Sequence, residues 1–131
     1  MTPLLLDTVF LIRWSQGRVP KRVKRQVDQP GAALFVSTVS PWEISLKPAL
    51  RQYGLSREDL LEIMLDDLAA GVLPITLQHT EQFDRLPYFP DHTDPFDRML
   101  IAQALTERYT LVSPDTRFSW YESHGLRLLW D

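Results

Sequence analysis

Four carboxylates in this 131-residue chain stand where backbone geometry concentrates chemistry. Asp7 directly follows the apolar run Leu4-Leu5-Leu6, and Asp115 comes three residues after Thr110-Leu111-Val112. Glu43 and Asp97 belong to two segments that repeat one helix-start pattern, Ser40-Pro41-Trp42-Glu43 and Asp94-Pro95-Phe96-Asp97. Each segment offers an N-cap, a proline at the first helical position and a carboxylate at the third. Gathered together, such acids repel one another and take up protons unless a cation neutralises them. An oxygen-only set suits hard Mg²⁺ or Mn²⁺, and helix N-termini favour the ionised form of Glu43 and Asp97. The chemistry this points to is phosphate chemistry.

Each acid also has a purely structural reading. Ser40 and Glu43 spell a capping box, and Glu43 can pair with Lys47 at i, i+4 for about 0.2 to 0.5 kcal/mol. Asp94 is a good N-cap, worth about 1 kcal/mol against Ala. Asp7 can cap a following helix, and Asp115 after Pro114 can start a turn. Asp97 is different, because it shares a helix face with Leu100, Ile101 and Ala104. That spacing points its carboxylate along the buried side of the helix.

The elements that must position these acids follow from the apolar pattern. Short continuous apolar runs predict strands at Leu4–Leu6, 34–36, 72–75, Thr110–Val112 and 126–129. Val19, Val23 and Val27 predict an amphipathic helix with a basic outer face. Leu60, Leu61, Met64, Leu65 and Leu68 predict another after Ser56, and a third runs over 95–107. Strands separated by helices imply an α/β fold, a mainly parallel sheet covered on both sides. In such sheets, helix starts and strand C-termini share the edge where ligands bind, so the four acids can converge there.

Composition bounds the rest. The length suits one domain over residues 1–131, with 44% hydrophobic and 24% charged residues, which argues against disorder. A net charge of −3 excludes a polycation, so any nucleic-acid surface must be local. The absence of cysteine excludes disulfides and thiolate chemistry. No signal peptide or membrane span is visible, which leads us to expect a soluble, cytoplasmic protein. Arg18, Lys21, Arg22, Lys24 and Arg25, with Arg13, lie in an acid-free stretch that either tracks a phosphate backbone or forms a solvated helix face. Trp14 beside it either stacks on a base or packs in the core. Thr8, Ser37 and Ser113 either bind water or phosphate or cap backbone. Trp42, Leu46 and Leu50, with the 60–68 helix, either line a docking groove or fill the core. His79, His92 and His124 have no recognisable metal-binding spacing and receive no catalytic role here.

The sequence resembles a PIN domain, and within that family the VapC-like toxins of bacterial toxin-antitoxin pairs. The resemblance covers Leu5-Leu6-Asp7-Thr8, Val36-Ser37, Pro41-Trp42-Glu43-Ile44, His92, and the run from Asp94-Pro95-Phe96-Asp97-Arg98 through Ile101-Ala102-Gln103-Ala104 to Leu111-Val112-Ser113-Pro114-Asp115. It implies a three-layer α/β/α sandwich with a five-stranded, mainly parallel sheet. It also implies a Mg²⁺- or Mn²⁺-dependent ribonuclease, often a homodimer, silenced by a small antitoxin partner. The family's acidic quartet falls on Asp7, Glu43, Asp97 and Asp115, with Asp94 an additional acid that either touches metal or caps the helix. Three other functions compete. A stand-alone RNA-processing nuclease has the same site, and a receiver-like binding module has acids at the same edge. An aspartyl phosphatase expects a second Asp two residues after Asp7, where Val9 stands.

Overall fold

Side-chain alternation along strands of three or four residues sets the architecture. In the computed structural model, which describes residues 2–131 and Arg51 by its backbone alone, β1 (Leu4–Leu6) lies at the centre of a five-stranded sheet. On one side stand β2 (Leu34–Ser37) and β3 (Gly71–Leu73), on the other β4 (Thr110–Val112) and β5 (Arg127–Leu129). The order is β3-β2-β1-β4-β5 and every pairing is parallel. Leu6 lies level with Val36 and Val112, β2 running one residue further to Ser37, and the strand C-termini form one edge.

The two faces carry separate cores. Leu4 and Leu6 bury against α1 (Thr8–Ser15), α2 (Lys21–Asp28), Ile44 and α5 (Arg57–Glu62), whereas Leu5 and Leu111 bury against α7 (Pro95–Glu107), Phe118 and Tyr121. Each fully buried Leu or Phe contributes about 1.5 to 3 kcal/mol. The result is the expected α/β/α sandwich, with helices on both faces of an all-parallel sheet. Among the described residues, no helix is long and apolar enough to cross a membrane.

The segment 95–107 forms α7 with the expected bounds, capped by Asp94 and started by Pro95. It ends where Arg108 turns left-handed at φ 61°. Of the valine stripe, Val23 and Val27 are buried in α2, while Val19 precedes the helix, which Pro20 caps, and packs partly against the same core. Elsewhere the boundaries moved. The strand expected at 72–75 is Gly71–Leu73, because Pro74 has no N–H to continue the ladder. At Gly71 a Cβ would come within 2.9 Å of the Phe35 ring, so only hydrogen fits. The helix expected over 60–68 divides into α5 and a π-helical turn, Ile63–Asp67, in which the Leu68 N–H reaches back five residues to the Ile63 carbonyl at 2.9 Å. The wider turn buries Ile63, Met64 and Leu68 and leaves Leu65 exposed.

The expected Ser40–Glu43 capping box does not form. α3 (Val39–Leu46) starts two residues earlier, Thr38 caps it without a side-chain bond, and Pro41 is the third helical residue, where an N–H has no intrahelical acceptor anyway. Ser40 is fully buried and its hydroxyl meets that of Thr8 at 2.9 Å. A short α4 (Pro48–Arg51) follows. Three elements had no counterpart in the sequence reading: α4, α6 (Leu77–Arg85) and a 3-10 helix, Thr116–His124.

Candidate metal centre

The C-terminal edge of the sheet brings the acids together. Asp7 follows β1 as the N-cap of α1, its Oδ1 accepting the Phe10 N–H at 2.8 Å, and it is 2% exposed. Burial raises its pKa to about 6, against hydrogen bonds from Ser113 and Phe10 that favour the anion, while the charge of Glu43 adds to the rise. Its capping reading and its place at the edge therefore coexist.

Glu43 projects from α3 and is 5% exposed. Its Oε2 accepts from Lys47 Nζ at 2.6 Å, as the i, i+4 spacing expects. The same ammonium also donates to Asp94 Oδ2, a contact between α3 and the start of α7 that no local spacing predicts. Asp94 meanwhile caps α7, its Oδ1 accepting from the Phe96 N–H at 2.8 Å and the Asp97 N–H at 3.2 Å. Burial opposes its ionisation, but Lys47 and these N–H groups hold its pKa below the usual carboxylate range.

Asp97 is the centre of the arrangement. One oxygen each from Glu43, Asp94 and Asp97 lie within 4.8 Å of one another, and one ligand atom each from His92, Asp97 and Asp115 do the same. Burial raises the Asp97 pKa to about 8, reinforced by the charges of Asp94, Glu43 and Asp7 and only partly offset by Lys47. Without a further cation this carboxyl is protonated at neutral pH. One lysine does not balance the site, and the surplus of hard oxygen donors suits a divalent cation such as Mg²⁺ or Mn²⁺.

Asp115 caps the 3-10 helix and forms a two-armed pair with Arg117, Nη2 to Oδ2 at 2.7 Å and Nε to Oδ1 at 3.1 Å. Burial opposes its ionisation, yet Arg117 holds its pKa below the usual range. The edge hydroxyls have partners within the chain: Ser37 Oγ accepts from Val39 N–H, Ser113 Oγ accepts from Asp115 N–H and also bonds Asp7, and Thr8 meets Ser40.

All four expected acids, and Asp94, thus reach one edge. The basic segment is engaged elsewhere: Arg22 donates to the Trp130 carbonyl at 3.1 Å, and Lys24 pairs with Asp28 and lies over the Trp14 ring. Arg18, Lys21 and Arg25 are exposed. Trp14 packs against the core, in line with its structural reading. Trp42 and Leu46 do not: they are 54% and 57% exposed, Trp42 resting edge-on against Phe96, while Leu50 packs against the core.

The sequence reading missed three residues at the site: the bridging role of Lys47, the pairing of Arg117, and His92. His92 is fully buried, and burial, with the charges of Arg117 and Arg98, lowers its pKa. Its Nδ1 meets the Tyr121 hydroxyl at 2.8 Å, and its Nε2 has no hydrogen-bond partner and lies 3.5 Å from Asp97 Oδ2. The spacing of the three histidines carries no sign of this, because the partners of His92 come from other elements.

The PIN domain family model matches residues 4–122. The chain belongs to the PIN-domain family. No curated protein matches it in sequence. Solved structures of like fold include VapBC2 from Rickettsia felis bound to a DNA fragment from their promoter, 16% identical with a TM-score of 0.69 over 98% of both chains. DNA-bound VapBC from Salmonella typhimurium is 18% identical with a TM-score of 0.66 over 98% of both chains. VapBC-1 from nontypeable Haemophilus influenzae is 19% identical with a TM-score of 0.66 over 96% of both. At these identities the likeness is one of fold, and this PIN domain's acids must speak for its chemistry.

Proposed function

We propose that this PIN domain is a divalent-metal-dependent ribonuclease acting as the toxin of a toxin-antitoxin pair. The observation that carries the reading is Asp97, shared by two groups of potential ligands and carrying more negative charge around it than Lys47 neutralises. Asp7, Glu43, Asp97 and Asp115 are the catalytic and metal-holding set, with Mg²⁺ or Mn²⁺ as the cation. Bound there, the cation supplies Lewis acidity toward a phosphodiester and makes water a better nucleophile near neutral pH.

The chain's own residues do the remaining work. With a cation held there, Asp97 would release to solvent the proton it carries at neutral pH, Asp7, already largely ionised, would join it as a ligand, and Glu43, fixed by Lys47, would orient the attacking water. Asp94 is a helix cap and a Lys47 partner first, and adds negative charge to the site. Arg117, half-exposed at the rim beside Asp115, is placed to meet phosphate oxygens. Of the basic segment Arg18, Lys21, Arg22, Lys24 and Arg25, the exposed Arg18, Lys21 and Arg25 supply further RNA contact, while Arg22 and Lys24 hold partners within the chain.

An antitoxin fits the exposed Trp42 and Leu46 beside the acidic edge: apolar contacts supply affinity, and a cationic side chain entering the site neutralises the acids. The fold shared with the VapBC structures supports this partner, and we extend the reading to a homodimer in the cytoplasm. Expression of the chain alone is expected to slow growth, with growth restored by co-expression of the small protein encoded beside it. Equal growth with the wild type and Asp97→Asn, or no neighbouring product co-purifying, contradicts the toxin reading and favours a stand-alone RNA-processing nuclease.

A further inference from the structure

A buried hydrogen-bond path runs into the acidic edge from behind. Arg98 is a donor only; its Nη1 donates to the Tyr121 hydroxyl oxygen at 3.1 Å and to the Pro87 carbonyl at 3.0 Å. With its oxygen accepting from the guanidinium, the Tyr121 hydroxyl has its hydrogen free for His92 Nδ1 at 2.8 Å, its hydrogen-bonded neighbour among the described residues. Nδ1 therefore accepts, and the imidazole proton resides on Nε2. That N–H is fully buried, has no partner, and faces Asp97 Oδ2 at 3.5 Å. A buried donor without an acceptor costs about 1 to 3 kcal/mol, so it persists only where something else fixes it. The Phe89–His92 turn holds the backbone, with His92 N–H donating to Phe89 O at 2.9 Å, and Phe118, Trp120 and Tyr121 pack around the ring.

We infer that His92 is a positioning residue: its Nε2–H, set by the Arg98–Tyr121 path, holds the Asp97 carboxylate in the orientation in which it would bind a cation. The inference rests on the metal reading of Asp97 given above. A histidine that ligated the cation itself needs a bare Nε2, and the Tyr121 hydrogen bond directs the proton to that very nitrogen. Outer partners of this kind commonly change metal affinity by about 10 to 100-fold when removed.

Imidazole ¹H–¹⁵N spectra of the metal-free protein test the path directly, since protonated and bare ring nitrogens resonate far apart. The expected result is a protonated Nε2 and a bare Nδ1 for His92, unchanged at saturating Mg²⁺. Tyr121→Phe keeps the ring in place, removes the hydroxyl, and is expected to let the proton redistribute to Nδ1 and to weaken Mn²⁺ binding about 10-fold. His92→Leu is expected to weaken Mn²⁺ binding at least as much, and His92→Gln, which retains an N–H, to recover part of it. A proton on Nδ1 in the metal-free wild type, loss of the Nε2 proton on Mg²⁺ addition, or equal Mn²⁺ affinity in the wild type, Tyr121→Phe and His92→Leu overturns the inference. Mn²⁺ binding that is absent or indifferent to Asp97→Asn contradicts the metal reading instead, and the tautomer in the metal-free protein is read independently of it.

Discussion

Lys47 donates to Asp94 across 47 positions of sequence while also bonding Glu43 at 2.6 Å. One ammonium therefore ties α3 to the N-terminus of α7 and supplies the cation lying between two of the site's acids. Lys47→Met keeps an apolar stem but removes the charge, and with it the ammonium that lies 5.0 Å from the Phe96 ring centre. The expected outcome is a loss of about 1 to 2 kcal/mol in the metal-free protein, read by denaturant unfolding, with part of it restored by Mg²⁺. Unchanged stability without metal would show that Lys47 sits at the acids without holding them.

Protonation of the site makes metal-free stability depend on pH with a definite sign. Asp97, at about 8 when folded and 3.8 as its ordinary value, holds a proton in the folded state that the unfolded chain has lost. The folded state binds more protons, so stability falls as pH rises through this range. Asp7 contributes likewise up to about 6. His92, lowered, works in the opposite direction but only below 6.5, and the lowered Asp94 and Asp115 act only below 3.8. Between pH 6.5 and 8 the Asp97 effect stands alone, at up to about 1.4 kcal/mol per pH unit. Melting curves in EDTA are expected to show a falling midpoint over that window, and Mn²⁺ affinity to rise over it because binding releases the proton. A flat midpoint contradicts the burial-driven shift.

Removing the charge from Asp97 or Asp7 has opposite effects on stability and function. Asn remains a good cap at position 7, and at position 97 it replaces a carboxyl that is protonated without metal. Metal-free Asp97→Asn is expected to be at least as stable as the wild type at pH 8, and to lose the stabilisation by Mn²⁺. Asp7→Asn is expected to keep its α1 cap and far-ultraviolet dichroism. A collapse of either variant would mean the acids serve the fold.

The basic segment gives a graded prediction. Arg22 and Lys24 already hold partners within the chain, and Arg18, Lys21 and Arg25 are exposed. Replacing those three by Gln is expected to weaken RNA binding and flatten its salt dependence, each lost phosphate contact reducing the slope by about 0.7 for single strands. An unchanged slope returns the segment to a solvated helix face.

What the sequence revealed was what local chemistry determines. Asp94-Pro95 followed by the stripe through Leu100 and Ala104 located α7 and placed Asp97 on its inner side, because cap, proline and period agree within one segment. Asp7 and Asp115 were legible as residues after apolar strands. The start of α3 was not, because the Ser40 hydroxyl is taken by Thr8, 32 residues away. α6 was hidden by its capping box, in which His79 replaces the usual Glu or Gln: its Nδ1 accepts the Thr76 N–H at 3.0 Å. His92 escaped for the same reason on a larger scale, since its orientation depends on Tyr121, which in turn depends on Arg98.

Cleavage of single-stranded RNA by purified wild-type protein and Asp97→Asn, each with Mg²⁺ or Mn²⁺ and each in EDTA, tests the proposed centre most directly. The account predicts cleavage by the wild type with either cation, none in EDTA, and none by folded Asp97→Asn under any condition. Undiminished cleavage in EDTA, or full activity of Asp97→Asn, would contradict it.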